Sequence, residues 1–230
     1  MKYFKYSTLA LGIVLIGCSK KTEPQVASNV PSPALKTNIP SGQFSPNAIA
    51  ELEKIIAKST NAKEKAVANL IILAHYASPG SNISPVELRS KFQTLAEEHA
   101  GTWIAVQCKI GIVETYDPSE HYQKRIETLN SILNDRGLKE LANPTDPYLQ
   151  SYLQEGDGIE VAKAPSDFIL SILTYNYVAG FDISSAIKTA EKIQSPHWKA
   201  QSEKHIKQLA TTSPDVLTKR REHFIRNQKP

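Results

Sequence analysis

From residue 45 onward, six runs with helical spacing are each preceded by a serine or aspartate directly before a proline: Ser45-Pro46, Ser84-Pro85, Asp117-Pro118, Asp146-Pro147, Ser195-Pro196 and Ser213-Pro214. Each pair has the chemistry of a helix start. The side-chain oxygen accepts an otherwise unpaired amide proton of the first turn, and proline tolerates the first helical position, where its missing N–H is not needed. Two pairs extend to full capping boxes, with Glu87 three residues after Ser84 and Glu120 three after Asp117. So many starts call for many short helices and leave little room for a sheet.

Apolar spacing fills in the helices. Ile49, Leu52 and Ile56 share a face, as do Val67, Leu70, Ile71 and Ala74; Leu88, Phe92 and Leu95 form a stripe, and Tyr122, Ile126, Leu129 and Leu133 another. The pattern predicts ten helices near 46–58, 62–77, 85–99, 102–116, 118–136, 147–154, 165–179, 182–194, 196–210 and 214–226. Gly137 and Gly180 follow two of them, where a left-handed cap is expected. Between Trp103 and Val113 two periods compete. Val106, Cys108, Ile110 and Ile112 alternate as a strand would, whereas Trp103, Val106, Ile110 and Val113 fit one helical face. A lone strand has no partner to pair with, so helix is the expectation.

Short turns between successive helices predict antiparallel hairpins, with a pair period of roughly 31–39 residues that falls in the range of helical repeats. Over 66–133, Leu70, Leu73 and Tyr76 on one helix, Leu88, Phe92 and Leu95 on the next, and Ile110-Gly111 on a third resemble a degenerate tetratricopeptide pair. Asn82–Ser84 lengthens its turn, no proline closes the first repeat, and residues 137–164 break the period. The resemblance implies an all-α, irregular helical-hairpin array of the α-solenoid type over residues 45–230.

The N-terminus carries an address. Lys2 and Lys5 precede the apolar run Leu9 to Ile16, which is shorter than the roughly 20 residues a membrane span needs. The run ends in Leu15-Ile16-Gly17-Cys18, which resembles the bacterial lipobox. That resemblance implies a signal peptide over 1–17, cleavage before Cys18, a diacylglycerol on its thiol and a fatty acyl chain such as palmitate on its amine. It makes Cys18 the lipidation site and the membrane a partner. Ser19, where aspartate retains Gram-negative lipoproteins at the inner membrane, points to the outer membrane facing the periplasm in a Gram-negative source. Residues 18–44 hold the cysteine and then a stretch punctuated by Pro24, Pro31, Pro33 and Pro40 without apolar period. As a flexible linker its 26 residues after Cys18 would reach roughly 25–30 Å.

Removing residues 1–17 takes away Lys2 and Lys5 and lowers the formal net charge from +4 to +2. A near-neutral chain lacks the concentrated basic face of a nucleic-acid binder. Lipidation uses one of the two cysteines, so Cys108, set among Ile104, Val106, Ile110 and Ile112, is expected to be a small buried hydrophobe without a disulfide partner.

No chemical constellation stands out. His75, His99, His121, His197, His205 and His223 are never three or four residues apart, as a helical zinc pair requires, so no metal ligand set is expected. No serine sits in a G-x-S-x-G elbow or in an S-x-x-K arrangement on a recognisable nucleophile turn, and there is no Gly-rich phosphate loop; Ser202 with His205 is a chance helical spacing. Glu97-Glu98-His99 reads as a solvated helix end, and Glu155-Gly156-Asp157-Gly158-Ile159-Glu160 as a polar turn without calcium-loop spacing. The basic end, Lys219, Arg220, Arg221, Arg226 and Lys229, suits either an anionic surface or a helix C-terminus. Tyr148, Tyr152, Tyr175 and Tyr177 either line a groove or pack between short helices.

The sequence therefore predicts no catalytic, cofactor-binding or metal residue. It points to a membrane-anchored module that binds an envelope protein or peptide and no nucleic acid. The alternatives are a cell-wall hydrolase, with Glu97, Glu98 and His99 as first suspects, and an immunity-type lipoprotein that neutralises one toxin.

Overall fold

A computed structural model of the protein describes residues 46–78, 81–153 and 157–227. Every regular element among them is a helix: α1 Pro46–Lys58, α2 Ala62–Tyr76, α3 Pro85–Glu98, α4 Trp103–Thr115, α5 Tyr122–Leu133, α6 Gly137–Ala142, α7 Pro147–Leu153, α8 Gly158–Lys163, α9 Pro165–Ala179, α10 Ile183–Ala190, α11 Pro196–Ala210 and α12 Pro214–Asn227. The all-α helical array is as expected, with twelve described helices rather than ten. None of them is long and apolar enough to cross a membrane.

Five of the six prolines open a helix, at Pro46, Pro85, Pro147, Pro196 and Pro214. Ser84 Oγ accepts the Glu87 amide at 3.1 Å, as a cap should. Asp117-Pro118 behaves differently. The Asp117 carboxylate accepts the amides of Ser119 at 2.7 Å and Glu120 at 3.0 Å and closes a turn, so α5 starts only at Tyr122. Residues 137–142, which lie outside the ten predicted helices, form α6, and α8 (158–163) begins inside the polar turn expected over 155–160.

Two helices organise the packing. α4 touches α2, α3, α5 and α6, and α9 touches α5, α6, α8, α10 and α11. α4 is apolar on every side, and Trp103, Ile104, Ala105, Val106, Cys108 and Val113 are all fully buried. A helix enclosed all round has no polar stripe. The competition between strand and helix periods over 103–113 is resolved as helix for that reason: both sets of residues face protein. α1 adds a satellite core, with Leu52 against Ala68 and Ile72 of α2.

Glycine serves proximity here more than turn geometry. Gly137 and Gly180 do not take the left-handed conformation expected of them. Among the described residues it is Gly101, at φ 76°, and Phe181, at φ 61°, that do. A Cβ on Gly137 would lie 2.2 Å from the Thr102 carbonyl oxygen, and one on Gly180 would lie 2.1 Å from the Tyr122 ring. On Gly111 a Cβ would meet the Phe92 ring at 2.6 Å, so this residue lets α3 and α4 close on one another.

Candidate functional site

The residues singled out from the sequence are not gathered into one place. Cys18 and the 18–44 linker lie outside the described residues. Cys108 is a free, fully buried thiol, and burial pushes its pKa far up, which suits a packing role. Glu97 and Glu98 are exposed at the end of α3, where Glu97 accepts from Gln93 at 2.6 Å. Ser202 is buried in α11, whereas His205 turns to the Tyr175 ring at 5.2 Å, so the two form no pair. Among the described residues no group of three or more His, Cys, Asp or Glu side chains is placed to hold a metal ion.

The four tyrosines disperse. Tyr152 packs on Trp103 at 5.1 Å and donates to Gln107 Oε1 at 3.3 Å. Tyr148 accepts from Asn61 of the α1–α2 turn at 3.3 Å, and Tyr175 meets α11. Tyr177 lies near Tyr122, on the far side of α9. Of the acidic turn, Asp157 stands 3.6 Å from His197, and Glu160 pairs with Lys163 at 2.7 Å within α8; Glu155 and Gly156 lie outside the described residues.

The most heavily engaged polar group is Arg125, 3% exposed and not anticipated from the sequence. Its Nε donates to Asn176 Oδ1 at 2.6 Å, and its Nη1 donates to the carbonyls of Val113 and Tyr116, each at 2.7 Å. Glu114 Oε1 stands 3.8 Å from Nη2. Burial lowers the pKa of the guanidinium, and Glu114, Tyr175 and Asp117 oppose that. The group ties α5 and α9 to the C-terminal carbonyls of α4 and leaves no open position for a substrate. Its signal in the sequence was spacing. Arg125 lies three residues after Tyr122 and four before Leu129, so it belongs to the inward face, which is Arg125, Ile126, Leu129 and Ile132.

Two surface features stand out. The first is a groove of about 610 Å³ between α6, α7 and α8, lined by Ala142, Pro144, Gln150, Leu153, Ile159 and Lys163 among others. Ile159 is 49% exposed there. Gln150 Nε2 donates to the Pro144 carbonyl at 2.8 Å and closes one end. The groove exists because three helices of six or seven residues cannot cover one another fully. Its apolar floor and single lysine suit apolar side chains of a polypeptide.

The second surface carries α12. No residue of that helix is buried. Phe224 sets its ring edge-on to Tyr122 at 5.4 Å and to Phe181 at 6.0 Å, and Asn227 Nδ2 donates to Ser119 Oγ at 2.9 Å. Lys219, Arg220, Arg221 and Arg226 are exposed along it, with Asp215 and Glu222. The Tyr122 hydroxyl beneath is buried without a hydrogen-bond partner. Burial, with Asp182 and Tyr177 nearby, pushes that phenol up to about 12.

Comparison of the chain with protein-family models, with curated proteins and with solved structures finds no match.

Proposed function

We propose that this chain is an envelope lipoprotein, held at a membrane through a lipidated Cys18 and a proline-punctuated linker, whose helical body binds another envelope protein or an extended peptide. The reading of Leu15-Ile16-Gly17-Cys18 as a lipobox supports the anchor, and Ser19 supports the outer membrane of a Gram-negative source. The observation that carries the binding role is the α6–α8 groove, a shallow, open, apolar surface depression with Ile159 half exposed on its wall. Apolar concavities with a few polar groups on the rim are where polypeptide anchors seat. The most engaged interior polar groups, Arg125 and Asn176, hold helix ends and each other.

Two experiments test the two halves. Cys18→Ser should abolish incorporation of labelled lipid and release the protein from its anchor; continued incorporation would remove the anchor reading. A pull-down from solubilised envelopes should recover a partner with the native chain and lose it with Ile159→Glu. Recovery of nothing above background across several detergents, or equal recovery by the variant, would remove the groove as the binding face.

A further inference from the structure

We propose that Tyr122, Gly180 and Phe181 form a docking cradle for an aromatic side chain borne on a basic helical segment of a partner polypeptide, and that α12 is its built-in occupant. The inference goes beyond the groove of α6–α8 and uses none of its residues.

The cradle is built without help from α12. Phe181 is held in the left-handed region by two backbone hydrogen bonds that close α9, from Phe181 N to the Val178 carbonyl at 3.1 Å and from Asp182 N to the Tyr177 carbonyl at 2.9 Å. This is a Schellman closure with phenylalanine where glycine is usual. Asp182 then caps α10 by accepting the Ser185 amide at 3.1 Å. A bulky residue at positive φ is an outlier that surrounding structure has to enforce. Here it turns the Phe181 ring toward Phe224. Gly180 allows the Tyr122 ring to lie against the chain where any Cβ would collide. Both walls therefore persist when α12 leaves.

The occupant is held lightly. No residue of α12 is buried and it is not among the broadly packed helix pairs; the Phe224 ring and the Asn227 amide are among its attachments. The Tyr122 hydroxyl, buried without a partner, is a polar group that α12 does not use.

Charge states what else would fit. Asp117 and Glu120 sit in the turn that meets Asn227, and Asp182 adjoins Tyr122 on the other side. Three carboxylates beside an aromatic cradle, Asp117, Glu120 and Asp182, favour a basic helix with an aromatic residue, which is the character of α12 itself.

The test uses a fluorescent peptide with the sequence of Pro214–Asn227, titrated against the purified full chain and its Phe224→Ala variant. A closed latch lowers apparent affinity by the fraction of molecules that are open, so the variant should bind the peptide about tenfold tighter or more. A peptide lacking the aromatic ring should lose that binding, rising salt should weaken it, and Tyr122→Ala in the Phe224→Ala background should abolish it. Equal affinity of the native and variant chains, or indifference to the peptide's aromatic residue, would overturn the proposal. If Phe224→Ala perturbs the fold, Asn227→Ala supplies the same ordering with a smaller shift, because it keeps the ring and removes the Ser119 contact together with the His223 contact inside α12. Gain of affinity for phosphatidylglycerol vesicles without gain for the peptide would make α12 a lipid-binding helix and remove the cradle assignment. None of these measurements depends on Cys18 or Ile159, so their failure is separate from failure of the anchor or of the groove.

Discussion

Ser202 and Arg125 show opposite outcomes for a buried polar group. The Ser202 hydroxyl is fully buried in α11 and its oxygen finds no partner. Removing it takes away a desolvated group and gives up no hydrogen bond, so Ser202→Ala should raise stability by about 1 kcal/mol. Chemical denaturation reads this directly, and a loss of that size would show that the oxygen is satisfied in solution. Arg125 is the reverse. Its removal orphans Asn176 Oδ1 and the Tyr116 carbonyl, and leaves the Val113 carbonyl with the Tyr116 amide alone. Arg125→Ala should cost about 3–5 kcal/mol, the scale for breaking a buried charge network by deleting one member. A loss below about 1 kcal/mol would mean that water replaces the guanidinium. Residue-scale roles were the least legible part of the sequence. Gly137 and Gly180 read as turn formers because glycine allows positive φ, but close approach of Thr102 and Tyr122 is what excludes a side chain there. That information belongs to partners far along the chain, and no local pattern holds it.

α4 is buried on all sides, and its two ends are neutralised by side chains from other elements. At its start Thr102 provides no side-chain cap; Glu140 of α6 accepts the Trp103 amide at 3.0 Å instead. At its end Arg89 donates to the Thr115 carbonyl at 3.0 Å while stacking 3.9 Å over Tyr116, and Arg125 takes the neighbouring carbonyls. A carboxylate at the N-terminus and guanidinium groups at the C-terminus both oppose the helix dipole. Asp146 joins this arrangement. It accepts from the Trp103 indole at 2.9 Å, pairs with Lys63 at 2.6 Å and accepts the Tyr148 amide at 3.1 Å, so it joins α2, α4 and α7. Burial raises its pKa, but the bonds from Lys63, Trp103 and Tyr148 outweigh that and hold the carboxyl below the ordinary range. With the folded pKa below the unfolded value near 3.9, the stabilisation is complete above about pH 4–5 and is lost as pH falls through the folded pKa. Asp146→Asn should therefore lower stability at pH 7 and flatten its decline between about pH 5 and pH 2 in acid denaturation. An unchanged acid limb would assign that decline to other carboxylates. At this scale the sequence was informative where chemistry is local: Ser84, Pro85, Pro147 and Pro196 mark helix starts that the fold uses. It was silent on α6 and α8, six residues each, because one and a half turns leave no period to detect.

Over the whole molecule, stability is concentrated around α4 and α9 and thins toward the C-terminus. A helix the length of α12 is marginal in isolation, since its hydrogen bonds barely offset the ordering of its backbone. Its attachments include two aromatic edge contacts at about 0.5–1.5 kcal/mol each and one hydrogen bond near 1 kcal/mol, and none of its residues is buried. The enclosed residues of α4 and α9 share one continuous core and open only with the fold as a whole. Opening of α12 should therefore cost a few kcal/mol, on the order of 2–4, well below the global value. Native-state hydrogen exchange checks this. The amides of α12 should exchange at least tenfold faster than those of α4, and Phe224→Ala should speed α12 alone. Protection in α12 equal to that in α4 would mean that the helix is integral to the core, and a basic segment so held could not exchange its place on Tyr122 and Phe181 with anything else.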